Sequence, residues 1–434
     1  MAKLRFETLQ FREENKDDSS SPASITIILL KIFKFSILLK DLQAIGPVNI
    51  IDKHTIEFVD TFEHKARKKF TGLLEGHYSN MTNIISKQQA TYVHANSNIP
   101  LIGNVAFGIV YRDYSIIELK PITSCNLSCV YCSVKEGKNS QKTDVVVQME
   151  YLLDELDKLL VFINKDKADK KIEEKQVEIH IGVQGEPFLY QDMVLLIEEL
   201  QKNPLIHTIS MDSNYTLVTK QMIDRLEKCT KLRINISLDA MDKQKAKDIA
   251  NAQNYNLDYV LDLIRYTAKS KLNYLIAPVF TPTYNDDELA KIIEFVKTLP
   301  TNTSATPNAP SNSVPTLGIQ NYLPYKAGRR PIKKPMPWDK FYDMLKKLED
   351  EHKVKLILNK HDFNIKPTTP LPKPFKVGDQ VTGISVMSDR FPNTTLIRAK
   401  GRTISVPDTP FKKGKKIKVE ITRDKHNIFT GKRL

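Results

Sequence analysis

Cysteine is scarce in this chain: there are four in 434 residues, and three of them, Cys125, Cys129 and Cys132, fall within eight positions. That crowding excludes a disulfide framework, whose cysteines are spread to staple a small secreted fold, and it marks the three thiols as ligands. A long apolar run is also missing. The longest stretch, residues 25–39, is interrupted by Lys31 and Lys34, whereas a membrane helix needs ~20 mostly apolar residues. Before it stand Glu13, Glu14, Lys16, Asp17 and Asp18, then Ser19, Ser20 and Ser21, so the basic start and cleavage region of a signal peptide are lacking. A cytoplasmic protein with no membrane partner is expected.

The remaining composition, 41% hydrophobic, 8% aromatic and 27% charged, is globular and excludes a disordered or collagenous chain. Two or three domains are expected. Lys and Arg number 65 against 51 Asp and Glu, a formal charge of +14. Residues 365–434 hold sixteen of the cations and five of the acids, which is +11 of that excess. A basic segment either solvates a domain or meets a polyanion.

Residues 1–112 read as a mixed α/β region of unassigned role, with a buried strand over 25–30 and a helix over 63–74. From 113 the pattern turns regular. Strands are predicted over 115–119, 177–183, 208–212, 233–238, 273–280 and 317–323, alternating with helices over 145–163, 193–202, 220–229, 257–269 and 286–299. Six strands and five helices imply an α/β fold, a partial (βα)6 barrel over 113–330. The stretch 301–315, rich in Pro, Asn, Ser and Thr, predicts a mobile loop. A helix over 338–352 and a stiff Pro-rich linker fill 331–374, where a domain boundary is expected. Residues 375–434 read as five short strands, over 380–386, 395–399, 403–406, 417–422 and 427–430, hence a small antiparallel barrel. Phe391 and Phe429 are either polyanion contacts or core.

Cys125-Asn-Leu-Ser-Cys129-Val-Tyr-Cys132 directly follows the first predicted barrel strand, on the face where barrels build active sites. A cubane cluster takes four ligands, so three thiolates leave one iron open to a substrate or cofactor. A zinc site of three Cys and a His such as His180 is the alternative, but the paired C-x2-C knuckle of a zinc ribbon has no second copy here. Cys229, ending a predicted helix, reads as core.

This motif resembles the radical S-adenosylmethionine (radical SAM) superfamily, whose C-x3-C-x2-C carries an aromatic residue before the third Cys, here Tyr131. The resemblance implies one [4Fe–4S] cluster on Cys125, Cys129 and Cys132 and S-adenosylmethionine on its open iron, cleaved reductively to a 5′-deoxyadenosyl radical. Gln184-Gly185-Glu186-Pro187 is similar to the family's Gly-Gly-Glu-Pro element with its first Gly replaced, which implies cofactor contacts at Gly185, Glu186 and Pro187. Ser213-Asn214-Tyr215 is similar to a Thr-Asn-Gly element and adds Asn214. Ser237-Leu238-Asp239-Ala240 adds Ser237 and Asp239 toward the ribose, and Ala277-Pro278-Val279 adds Pro278 toward the adenine. Taken singly, Asn214 and Asp239 also fit turn capping.

The tail resembles a TRAM domain, a small OB-like barrel of tRNA-modifying enzymes, through Val377-Gly378-Asp379, Gly401-Arg402-Thr403 and Lys413-Gly414-Lys415-Lys416. This implies RNA contacts at Arg402, Lys412, Lys413, Lys415, Lys416, Arg423 and Lys425. With Gln320-Asn321-Tyr322 and Gly328-Arg329-Arg330 between the halves, the layout is similar to archaeal predicted Fe–S oxidoreductases. Residues 1–124 contain no Cys, so no auxiliary cluster is expected, and Asp52-Lys53-His54 lacks the Gly of a cobalamin motif. The expected function is radical modification of tRNA or rRNA, fed by an electron donor such as ferredoxin or flavodoxin. A radical enzyme on a metabolite or peptide, and an RNA-binding protein with a structural or redox cluster, are the alternatives. No catalytic residue is named.

Overall fold

Short β-branched runs followed by amphipathic helices build the centre of the molecule. The structure, a computed structural model, describes residues 1–13, 23–135, 142–165, 175–182, 184–300, 316–359 and 362–434. The predicted loop 301–315 and most of the acidic, Ser-rich stretch before residue 23 lie outside those residues. Five parallel strands, β1 (Ile116–Lys120), β2 (Val177–Ile181), β3 (Ile206–Ser213), β4 (Leu232–Ile236) and β5 (Asn273–Ile276), pair in sequence order, and Gly108–Tyr111 adds an antiparallel edge to β1. One face is apolar. Ile117, Ile179, Ile209 and Ile234 are fully buried, each such side chain contributing ~1.5–3 kcal/mol.

The covering helices are α1 (Met149–Ile163), α2 (Met193–Leu200), α3 (Lys220–Leu226), α4 (Lys243–Ala250), α5 (Leu257–Lys269) and α6 (Leu289–Lys297). α5 shows how the sequence specifies them. The Asn256 side chain accepts from the Tyr259 amide at 3.2 Å, and Leu257, Val260, Leu261 and Ile264 repeat at helical spacing on the buried side, the periodicity that drives an amphipathic helix onto a core.

Three expectations are corrected. The helix predicted over 145–163 begins only at Met149. Asp144–Val147 is a strand pairing in parallel with Gln89–Val93, because three consecutive valines favour an extended chain. The fifth predicted strand breaks at Ala277-Pro278 into β5 and a two-residue β6 (Val279–Phe280), since Pro278 has no amide to donate. The sixth contracts to β7 (Gln320–Asn321), parallel to β6. Helix α4 was not anticipated.

The N-terminal region supplies a six-stranded sheet, ordered Asp144–Val147, Gln89–Val93, Met81–Asn83, Phe33–Leu38, Ser24–Leu29 and Leu9–Glu13, and a three-stranded sheet. Helix Glu63–His77 buries Ala66, Phe70 and Leu74. After α7 (Trp338–His352) the Pro-rich stretch is extended and also fastened. Tyr111 Oη donates to the Thr369 carbonyl at 2.6 Å, and the Thr368 amide donates to the Asp113 carbonyl at 2.9 Å.

The tail is a closed five-stranded barrel, β8 (Gln380–Ser388), β9 (Thr395–Ala399), β10 (Arg402–Val406), β11 (Lys416–Arg423) and β12 (Phe429–Arg433), in the order β8-β9-β10-β12-β11; it is antiparallel as expected except where β10 and β12 close it in parallel. Ile397, Ile404, Val406, Val419, Ile421 and Phe429 fill it, so Phe429 is core. Phe391 is 45% exposed and carries the Lys142 ammonium 5.0 Å from its ring. The barrel docks at Gly103, where the Thr403 amide donates to the Ile102 carbonyl at 3.1 Å and the Phe429 amide to the Gly103 carbonyl at 3.0 Å. A Cβ on Gly103 would stand 2.3 Å from the Thr403 carbonyl oxygen, so only glycine permits this approach.

Candidate active site

The three thiols sit on a loop whose root is held from two sides. Val145 donates its amide to Thr123 Oγ1 at 2.8 Å. Asn83 donates to Ser124 Oγ at 2.8 Å and to Asp144 Oδ2 at 2.7 Å. The strand Asp144–Val147 therefore anchors Thr123 directly and Ser124, the residue before Cys125, through Asn83. At the loop's far end, the Arg329 amide donates to the Cys132 carbonyl at 2.9 Å and its guanidinium to the Cys129 carbonyl at 3.0 Å.

Opposite this loop, Gly185 turns at φ +76, and a Cβ there would lie 2.6 Å from the Ser124 carbonyl oxygen. That close approach lets the Glu186 amide donate to the Ser124 carbonyl at 2.8 Å. The Glu186 carboxylate accepts from Ser213 Oγ and from the Asn214 amide, both at 2.8 Å. Burial nevertheless pushes its pKa up to about 7. Asn214 donates to Asn126 Oδ1 at 2.9 Å, and Asn126 to Thr216 Oγ1 at 2.8 Å, which ties the end of β3 to the Cys loop. Tyr131 Oη donates to Asp239 Oδ2 at 2.7 Å, and the Val279 amide to Asp239 Oδ1 at 2.9 Å. Burial raises Asp239 to about 6.

These pieces enclose a cavity of about 320 Å³. Of the sequence-predicted cofactor residues it brings together Cys125, Cys129, Tyr131, Cys132, Gly185, Glu186, Asn214, Ser237 and Asp239. Pro187 and Pro278 are buried and do not line it. Pro187 opens a short 3-10 turn behind Glu186, and Pro278 breaks the strand so that Ala277 and Val279 face the cavity instead.

Sequence reading missed Asp212, Asn235, Tyr255, Tyr322 and Tyr325 in the lining. Asp212 and Asn235 are cross-strand neighbours on a polar face that continues downward. His180 Nε2 lies 3.2 Å from Asp212 Oδ2 and its Nδ1 2.8 Å from Ser210 Oγ. Arg233 donates to Glu178 at 3.0 Å, and Asn235 to Asp212 at 2.8 Å. Polar residues two apart along β3 (Thr208, Ser210, Asp212) and β4 (Arg233, Asn235) share one face, and that alternation is the signal that could have revealed them.

The donor set fits a cluster with one open corner. Burial, with Asp239 nearby, holds the Cys129 thiol above its ordinary value, and burial raises Cys125 as well, with Cys129 and Glu186 adding to it. Thiolates become favourable there when a cationic metal offsets the lost solvation. Among the described residues no three His, Cys, Asp or Glu side chains converge on one ion-sized point. A cubane is a larger body whose irons meet their thiolates at separate corners.

Residues 119–296 match the radical SAM superfamily, and the chain belongs to it: this is a radical SAM enzyme, whose family implies a [4Fe–4S] cluster and S-adenosylmethionine. More particularly, it is 37% identical over 371 residues to the uncharacterized protein MJ0103 of Methanocaldococcus jannaschii, covering 81% of this chain and 82% of that one. A GTP 3′,8-cyclase of Campylobacter jejuni is 28% identical over 186 residues, 43% of this chain and 53% of the cyclase, so that match spans about half of the cyclase. Among solved structures, Streptococcus suis SuiB bound to its precursor peptide is 14% identical with a TM-score of 0.40, covering 82% of this chain and 71% of that chain.

The tail residues predicted to meet RNA are dispersed. Lys412, Lys413 and Lys415 are exposed on the loop that leads into β11, Lys416 is exposed at the first position of β11, and Lys425 is exposed near Arg423. Arg402 is half-buried and donates to Asn427 Oδ1 at 3.3 Å. Ser385 fixes the Lys loop: its amide donates to the Lys415 carbonyl at 2.9 Å, and its hydroxyl accepts from the Lys415 amide at 2.8 Å. Among the described residues no helix is long and apolar enough to cross a membrane.

Proposed function

We propose that the protein is a radical SAM enzyme that modifies RNA, either tRNA or rRNA. The observation that carries this reading is the exposed, Ser385-anchored cationic loop at 412–416, on a closed barrel fastened to the body that holds the cavity. A small basic barrel of this kind is how a TRAM-like domain meets phosphates, and the reading takes the tail as one. Bound at the three thiols, one [4Fe–4S] cluster would supply the electron that cleaves S-adenosylmethionine to a 5′-deoxyadenosyl radical. Glu186 and Asn214 would receive the methionine end, and Ser237 and Asp239 the ribose. Ferredoxin or flavodoxin is the proposed electron donor, and neither cobalamin nor an auxiliary cluster is invoked. The proposed setting is the cytoplasm.

The test is 5′-deoxyadenosine release by anaerobically reconstituted protein with dithionite and S-adenosylmethionine, with and without total tRNA. Release stimulated by tRNA and falling steeply with salt supports the reading. Release that ignores both tRNA and salt favours a second reading, a nucleotide-sized substrate, which the partial similarity to GTP 3′,8-cyclases supports. No release from protein carrying a full cluster defeats both and leaves a cluster-bearing RNA-binding protein.

A further inference from the structure

Beyond β7 the cavity wall runs through Tyr322, Leu323 and Tyr325, and the chain then places five cations in nine positions. They are Lys326, Arg329, Arg330, Lys333 and Lys334, with no acidic residue before Asp339. Arg329 is committed to the Cys loop, while Lys326, Arg330, Lys333 and Lys334 are exposed. The segment is fastened to the rim: Tyr322 Oη donates to the Arg329 carbonyl at 3.0 Å, and Asn321 Nδ2 to the Met336 carbonyl at 2.9 Å.

Two residues after Met336, α7 opens with Trp338, 50% exposed, and one turn later Tyr342, 44% exposed. Their rings stack at 5.9 Å with 27° between planes. Between them the buried Phe341 points inward and stacks on Phe280 at 6.2 Å, next to the cavity-lining Val279. The helix is thus held by its inner face while two flat rings stay in solvent beside the cavity. Asp339 and Asp343 each follow one of the rings by a single position, about 100° further around the helix.

A single exposed aromatic is ordinary. A stacked pair beside a cation run at the mouth of a reaction cavity matches one ligand chemistry, a π-face carried on a phosphate chain. Stacking is indifferent to which base is offered, and phosphates follow the cations. We propose that Trp338 and Tyr342, with residues 326–334, form a stacking platform for an unpaired stretch of RNA at the cavity mouth. The tail barrel would hold the RNA backbone and the platform would deliver the unpaired nucleotide. This rests on the RNA reading above.

The chain has one Trp, so intrinsic tryptophan fluorescence reports the platform alone. Full-length protein is titrated with a dye-labelled twelve-nucleotide oligo(U), with an RNA duplex of equal length and with total tRNA, following Trp emission and, where the ligand is labelled, its anisotropy. We expect saturable quenching by oligo(U) and not by the duplex, and a loss of oligo(U) affinity of about 5- to 150-fold in Y342A. Oligo(U) or tRNA binding without quenching, with Y342A unchanged, overturns the platform and leaves the RNA reading standing. Equal quenching by duplex and oligo(U) overturns stacking as its basis. Failure of every RNA to bind overturns both readings, and the wild-type titration decides this without any variant.

Discussion

The chain builds a mostly parallel sheet and a closed tail barrel that are inside out with respect to each other. In the parallel sheet the polar face looks inward, toward the cavity: Glu178, His180, Ser210, Asp212, Arg233 and Asn235 meet below it, each hydrogen-bonded to a neighbour. In the tail barrel the interior is Ile397, Ile404, Val406, Val419, Ile421 and Phe429, and Lys416, Lys418 and Glu420 alternate outward along β11. A reaction cavity needs polar groups in a dry place, so its charges must be paired. A binding module needs no cavity. Its interior can be given over to stability and its charge left in solvent, where the proposed contact with RNA would need it.

The largest effect should come from the Cys loop at the end of the parallel sheet. Replacing Cys125, Cys129 and Cys132 together with Ala should abolish cluster absorbance and reduce 5′-deoxyadenosine release to background. The outward face should be untouched, and RNA binding by gel shift should persist. If that variant lost RNA binding equally, the parallel sheet and the tail barrel would not be separable in function.

The tail's interior gives the next largest effect. Phe429→Ala removes a fully buried ring and should cost about 3–5 kcal/mol. Hydrogen exchange sharpens the comparison, since amides of β8 to β12 should lose protection while those of β1 to β5 keep theirs. Loss in both sets would make the Gly103 contact a cooperative joint. A smaller effect follows from charge alone. Replacing Lys412, Lys413, Lys415 and Lys416 with Ala should flatten the slope of log affinity for tRNA against log salt by up to ~3. RNA-independent 5′-deoxyadenosine release should not change, because none of the four lines the cavity.

The same division explains what could be read in advance. The Cys loop, Gly185-Glu186 and Asn214 were legible because they are short motifs at strand ends. Helices α5 and α7 were legible to the residue because their periodicity is local, and in α5 it is reinforced by the Asn256 cap. The Val145 to Val147 run was misread because its partner, Gln89–Val93, is more than fifty residues away and no local pattern announces the pairing. Asp212, Asn235, Tyr255 and Tyr322 reach one cavity from four elements, a convergence that exists only once the sheet is assembled. The tail barrel was the easier of the two, since turn residues punctuate every strand and its core alternates plainly.

The inward face also sets the finest prediction, a pH dependence that the outward face cannot show. Burial pulls the His180 imidazolium down, but the Asp212 carboxylate, with Glu178, outweighs both burial and Arg233, so its pKa lies above the ordinary 6.5. Burial lifts Asp212, and His180 with Asn235 and Arg233 more than reverses this, so its pKa lies below 3.8. His180 therefore stabilises the fold fully below pH 6.5, and that contribution fades as pH rises through its elevated folded value. Asp212 contributes above pH 3.8 and fades as pH falls through its depressed one. In Asp212→Asn the attraction is gone and burial dominates, so His180 should drop below its ordinary value and the slope of its contribution near pH 6.5 should change sign. Urea unfolding of both proteins at pH 5.5, 6.5 and 8 should give a wild-type advantage that is largest at pH 5.5 and shrinks toward pH 8. An advantage that stayed level would mean that the pair is not ionised, and that the polar face of the parallel sheet is held by neutral hydrogen bonds alone.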